Sequence, residues 1–130
     1  MRFRVAFRSE RGQSLTEFAL VLPLLVVLLF GIIQFGITFN NYISLTDAVR
    51  AGARKGAVAR HLDDPVGSTV AQVQASASDL DAAQLQISVE STWEHGEAVT
   101  VTASYPYEIR LFGIPLKEGR MSSTTTERVE

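Results

Sequence analysis

At 130 residues and a formal net charge of −2, the chain has room for one modest domain besides any membrane segment. It contains no cysteine, which excludes a disulfide framework and a thiolate metal site. Charge is sharply partitioned: residues 1–12 carry four arginines against Glu10, whereas from His61 onward eleven acids meet four bases. An anionic surface of that size argues against nucleic-acid binding, which needs a cationic face, and reads instead as a solvated, solubilising half.

The first element is the basic leader, residues 1–12, with Arg2, Arg4, Arg8 and Arg11. Close behind it, Phe18 to Phe39 runs 22 residues without a charge, and only Gln34 and Thr38 are polar. A helix of that length is roughly 33 Å long, enough to cross a hydrocarbon core of roughly 30 Å. Pro23 falls near the predicted start of this span, where it is tolerated, and Gly31 and Gly36 are five apart, so they do not form the four-spaced dimer motif. The leader lies against the N-terminal end of the span and places that end in the cytoplasm by the positive-inside rule. A second basic group, Arg50, Arg54, Lys55 and Arg60, begins more than ten residues beyond Phe39. The apolar run exceeds the 7–15 residues of a secretory signal core. The nearest small-residue pattern comes late, within "DAVRAGARKGA", so a permanent anchor is predicted rather than a signal removed from the mature chain.

Glu17 stands at the lip of this run, where an ionised acid needs a partner. One reading makes Ser14-Leu15-Thr16-Glu17 a capping box at the start of the helix. The other takes the order as a processing signal: basic leader, Gly12, four residues, Glu17, Phe18, hydrophobic helix. That order resembles the class III signal of type IV pilin-like proteins, in which a membrane aspartyl peptidase cuts after the glycine on the cytoplasmic side. Carried over, the cut falls between Gly12 and Gln13. A glycine before the scissile bond leaves extended backbone open to close approach. The cut frees an ammonium on Gln13 about one helical turn from Glu17, which in an assembly would pair with a neighbouring subunit's ammonium.

The stretch "RGQSLTEFALVLPLLVVLLFGIIQFG", with its proline six residues after the glutamate, is similar to the TadE-like pseudopilins of tight-adherence (Flp, type IVb) pilus systems. "DAVRAGARKGAVAR", Asp47 to Arg60, resembles that family's small-residue helix, and "VTVTASYPYEI" with a Pro-containing loop and final strand is also similar. Two departures are Gln13, where major pilins more often start with a hydrophobic residue, and the lack of a cysteine pair. The resemblance implies a membrane-anchored structural protein without cofactor. Its implied partners are the lipid bilayer, a prepilin peptidase, other pilins or pseudopilins, and a pilus assembly platform and ATPase, with no nucleic acid or small-molecule substrate. The implied location is the bacterial inner membrane, single-pass, with the C-terminal part outside the cytoplasm. The competing class is an uncleaved bitopic anchor whose acidic domain binds another envelope protein.

Beyond the span, the helix is predicted to run on through Asn40–His61, giving an anchor-and-extension unit of residues 13–62. Ala48, Ala51, Gly52, Ala57, Val58 and Leu62 form a small-residue face for close packing. Residues 63–130 then make a small α+β domain. Asp64 as N-cap and Pro65 at the first helical position open a second helix, with Val66, Val70, Val73, Ala77 and Leu80 at 3–4 spacing. "QLQISVEST" alternates through Leu85, Ile87 and Val89; His95-Gly96-Glu97 reads as a turn; and "EAVTVTASYPYEI" alternates through Val99, Val101, Ala103 and Tyr105. Pro106 should mark a strand end, bulge or edge. Leu111 to Leu116 reads as an apolar loop that covers one end of the sheet or meets the membrane surface. "RMSSTTTERV" supplies a third strand. The expected fold is therefore α+β and pilin-like: a long transmembrane helix continuing out of the membrane, a short second helix and a three-stranded antiparallel sheet.

No catalytic constellation emerges. His61 and His95 are the only histidines, and a zinc site needs three or four convergent ligands. The Ser122–Thr126 run lies in a strand rather than a nucleophile turn, and no phosphate loop follows a strand. Trp93 is expected to pack at the core or the turn.

Overall fold

A computed structural model describes residues 10–130, with side chains from Gly12 onward, so Arg2, Arg4 and Arg8 and the side chain of Arg11 lie outside the described residues. Helix α1 runs unbroken from Glu10 to Ala57, followed by a 3-10 turn at Ala59–His61, helix α2 (Pro65–Ser76), and strands β1 (Gln86–Ser91), β2 (Ala98–Leu111) and β3 (Ile114–Arg128). The three strands form an antiparallel meander in the order β1-β2-β3. The expected α+β architecture is thus present.

The outer part of α1 and all of α2 cover one face of the sheet. Leu45, Ala48, Val49 and Ala53 from α1 meet Val73 from α2, Val99, Val101 and Ala103 from β2, and Val129, all fully or almost fully buried. Leu85, Ile87, Val89 and Tyr105 pack around that core as their alternation predicts, and Trp93 packs there too, as expected of it. Small residues set the approach of α1 to its neighbours: the position a Cβ would occupy on Gly52 is taken by Val73 Cγ2 of α2, and at Gly56 a Cβ would stand 3.0 Å from Val99 Cγ2 of β2 and 3.3 Å from Thr69 Oγ1 of α2. The opposite face of the sheet is hydroxyl-rich, with Thr100–Thr126 and Thr102–Thr124 hydroxyls paired across strands at 3.0 Å.

Local signals place most element ends. Asp64 Oδ1 accepts from Gly67 N at 2.8 Å and Pro65 opens α2, as expected of that pair. The 94–97 turn closes through Glu97 N to Glu94 O at 3.1 Å, with Gly96 at φ +85°. The end of α1 is tied to the sheet where Glu130 N donates to Ala57 O at 2.8 Å.

Several expectations are corrected. The extension of α1 stops at Ala57, so Val58 and Leu62 point outward at 52% and 42% exposure instead of joining the small-residue face. On α2, Val66 is exposed and Thr69 is buried in its place, its hydroxyl donating to Pro65 O at 2.8 Å. That face is chosen by where Gly52 and Gly56 admit it, which hydropathy does not record. Residues 111–116 are not a loop: Leu111 pairs with Ile114, and Phe112-Gly113 is a two-residue turn at the tip of the β2–β3 hairpin. Pro106 sits inside β2, paired with Arg120, but beyond the last β1 partner at Ser104, where β2 has itself become an edge.

Candidate processing and membrane-anchor segment

Helix α1 has two environments. From Leu45 onward it is packed in the domain core. Before that it is apolar and uncovered: Leu15, Phe18, Leu20, Leu24, Ile32 and Phe35 are 59–76% exposed. Among the described residues, it is the one helix long and apolar enough to cross a membrane, and its most apolar stretch is not buried within the protein. A core helix of a soluble protein would be covered. An uncovered apolar rod of this length has lipid or other apolar helices as its only stable surroundings.

The glycine–glutamate segment lies within this helix. Gly12 and Gln13 are the third and fourth residues of α1, not an extended strand awaiting cleavage. Thr16 Oγ1 donates to Gly12 O at 2.9 Å, and Gln13 Nε2 donates to Glu17 Oε1 at 3.0 Å, one turn along the same face. Because α1 already begins at Glu10, Ser14 is no N-cap and the capping-box reading of Ser14–Glu17 does not hold. Pro23 is correspondingly an interior residue, and its ring removes the N–H that Ala19 O would accept. Glu17 and Phe18 are both exposed, and the acid faces outward while accepting from the Gln13 amide of its own chain.

The span is not uniform around its circumference. Gln34 and Thr38, its only polar side chains, are half-buried together with Asn41 and Ser44. At these spacings they form one face leading from Phe30 to the buried Leu45. The β2–β3 hairpin lies along it: the Phe112 ring meets the Phe30 ring at 5.4 Å between centroids, tilted by 55°. Hydropathy does not indicate this contact, since Phe30 is nine residues inside the expected span. Nor does the sequence single out Arg120. Its guanidinium donates to Gln84 O and Ser104 O, each at 3.1 Å, and to Ser104 Oγ at 3.2 Å, tying β3 to β2 and to the segment before β1. At the hairpin, Arg110 Nε and Glu108 Oε1 are 2.7 Å apart, and this hydrogen bond and the carboxylate charge raise the guanidinium pKa further above its ordinary value.

Of the two histidines, His61 is engaged by its neighbour, its Nε2 accepting from Arg60 Nε at 2.9 Å. No group of three or more His, Asp or Glu side chains is placed to hold a metal among the described residues. An open cleft of about 620 Å³ lies between the end of α1 and the 95–96 turn, lined by Arg54, His95, Glu127 and Arg128 among others. Its lining holds no nucleophile–base pair.

Comparison with known proteins matches one family, described as TadE-like protein, over residues 12–54. No curated protein and no solved structure matches the chain. The matched stretch begins at Gly12, contains Glu17 and the whole apolar run, and ends within the buried small-residue part of α1. Over that stretch the resemblance read from the residues is borne out: residues 12–54 are similar to TadE-like proteins.

Proposed function

We propose that the chain is a membrane-anchored minor pilin or pseudopilin, cut between Gly12 and Gln13 by a prepilin peptidase and contributing to assembly of a tight-adherence pilus. The observation that carries this reading is the coincidence of the family match at residues 12–54 with an apolar helix left uncovered by the protein itself. In this reading the helix serves twice, first as a bilayer anchor and then packed among other apolar helices of the assembly. The leader arginines hold residues 1–12 on the cytoplasmic side of the inner membrane, with the α+β domain outside. The peptide bond after Gly12 is a substrate site, and the chain supplies no catalyst. Its partners in this reading are the peptidase, other pilins or pseudopilins, the assembly platform and its ATPase.

The helical state of Gly12–Gln13 bears on cleavage. A peptidase needs an extended strand, so the first turn of α1 must open. Glycine makes that turn about 1 kcal/mol easier to lose than alanine would. Once cut, the Gln13 ammonium lies within one turn of Glu17, whose carboxylate is already engaged by the Gln13 amide. Pairing of Glu17 with a neighbour's ammonium therefore competes with a partner inside its own chain. A helical scissile bond is also the one feature that favours the alternative, an uncleaved anchor whose acidic domain binds another envelope protein. Gly12→Leu separates the two. In the pseudopilin reading the leader stays attached and pilus yield falls in sheared-fibre preparations. Unchanged pili from the variant would leave the uncleaved anchor.

A further inference from the structure

The β2–β3 hairpin extends beyond the sheet. β1 pairs only with residues 99–104 of β2, so residues 105–111 and 114–121 continue as a two-stranded ribbon alongside α1. Its tip, Leu111-Phe112-Gly113-Ile114-Pro115-Leu116, has no polar side chain. Phe112, Ile114 and Leu116 are 63–66% exposed, and Phe112 rests on Phe30 within the uncovered part of α1. Phe112 also adopts φ +49°, beside Gly113 at φ +83°. Turns of this kind favour asparagine or glycine there, so the backbone carries strain to keep an aromatic ring at the tip.

We propose that this tip enters the outer leaflet of the bilayer beside its own anchor helix, with the charged residues Glu108, Arg110, Lys117 and Glu118 marking the boundary between hydrocarbon and headgroups. The inference rests on the reading of α1 as a membrane span with its leader inside. Dimensions support it. Phe30 lies nine residues inside Phe39, about 13 Å below the outer end of the span at 1.5 Å per residue. Along the strand, Arg110 is about 7 Å back from Phe112 and Glu108 about 13 Å back, at roughly 3.3 Å per residue. Glu108 thus stands level with Phe39. Lys117, paired with Ile109, and Arg110 lie about 3 and 7 Å deeper at roughly 3.3 Å per residue, where long side chains reach up to the boundary and Arg110 meets Glu108. An open ribbon edge is costly in hydrocarbon, which limits entry to the tip. There Leu111 and Ile114 pair with each other and Pro115 has no N–H to leave unpaired. A second copy's helix would also cover an apolar tip, but it would not explain why the tip rests on Phe30, well inside the segment read as the span, with charged residues returning to the ribbon only toward the outer end of that span.

Trp93 is the only tryptophan, so full-length Trp93→Phe offers a silent background for Phe112→Trp at the tip and, separately, Leu25→Trp as a reporter of the span. Each is placed at one copy per nanodisc made of phosphatidylglycerol and phosphatidylcholine brominated along the acyl chain. The expected result is blue-shifted emission from the Phe112→Trp protein, lost mostly to bromine and little to aqueous iodide. Ile114→Trp should behave alike and serves if Phe112→Trp prevents folding. A tip probe quenched by iodide and untouched by bromine, with the Leu25→Trp probe still quenched by lipid, overturns the inference and leaves the anchor intact. Loss of bromine quenching in the Leu25→Trp protein as well overturns both. Shielding of the tip that appears only with two copies per disc assigns the surface to a second copy and also overturns it.

Discussion

Gly52→Ala sets two known effects against each other at one atom. Alanine is favoured over glycine inside a helix by about 1 kcal/mol, so the change would stabilise α1 in isolation. In the folded domain the added methyl would occupy the space of Val73 Cγ2, and Val73 is fully buried. Valine in a helix has essentially one χ1 rotamer, so it cannot swing aside, and α2 must move off α1. Overpacking of this kind costs about 1–3 kcal/mol, and the absence of slack puts Gly52→Ala at the upper end. Set against the helical gain, the net effect is a loss of about 1–2 kcal/mol. For an ordered part of this size that lowers Tm by roughly 5–10 °C. Near-UV circular dichroism of Trp93, which packs against the core, follows unfolding of the domain while the apolar helix stays in its micelle. Val73→Ala removes the obstructing methyl, so the double variant should be more stable than the sum of the singles by about 1 kcal/mol. A Gly52→Ala protein with raised Tm, or a strictly additive double variant, would refute this account of the α1–α2 interface.

Gly56→Ala should cost less than Gly52→Ala in the same scan, because its methyl would stand 3.0 Å from Val99 Cγ2 and 3.3 Å from Thr69 Oγ1 rather than on top of a neighbour. Asp64→Ala removes the acceptor for Gly67 N and should lower stability by about 1 kcal/mol, with Asp64→Asn recovering most of it. Glu17→Gln should leave cleavage after Gly12 largely intact while reducing pilus yield, read by N-terminal sequencing and sheared-fibre assay; equal yield would remove the carboxylate from assembly. Gly113→Ala places a Cβ at φ +83° and should destabilise the hairpin by about 1–2 kcal/mol, seen as faster amide exchange around Leu111 and Ile114.

How far each feature can be read from sequence depends on the range of the forces behind it. Asp64-Pro65 and the alternation from Val99 to Tyr105 act within a few residues, and both appear where expected. The apolar span is likewise a local property of composition. The buried face of α2 is not, because Thr69 displaces Val66 to suit glycines on another helix. The 111–116 stretch reads as a loop because Gly-x-Pro is ordinarily punctuation; the ladder closing at Leu111–Ile114 and the register shift at Ile109/Arg110 are cross-strand facts. The start of α1 shows the same limit. Ser14 and Glu17 have the spacing of a cap, yet the helix continues past them to Glu10, leaving Gln13 as the partner of Glu17.

In the proposed function Gly12 marks a cut and Gln13 a new beginning. The decisive test is the intact mass of the full-length protein, recovered from membranes of cells that contain the prepilin peptidase and of cells that lack it. A chain beginning at Gln13 only where the peptidase is present is the predicted result. A chain that keeps residues 1–12 in both would contradict it.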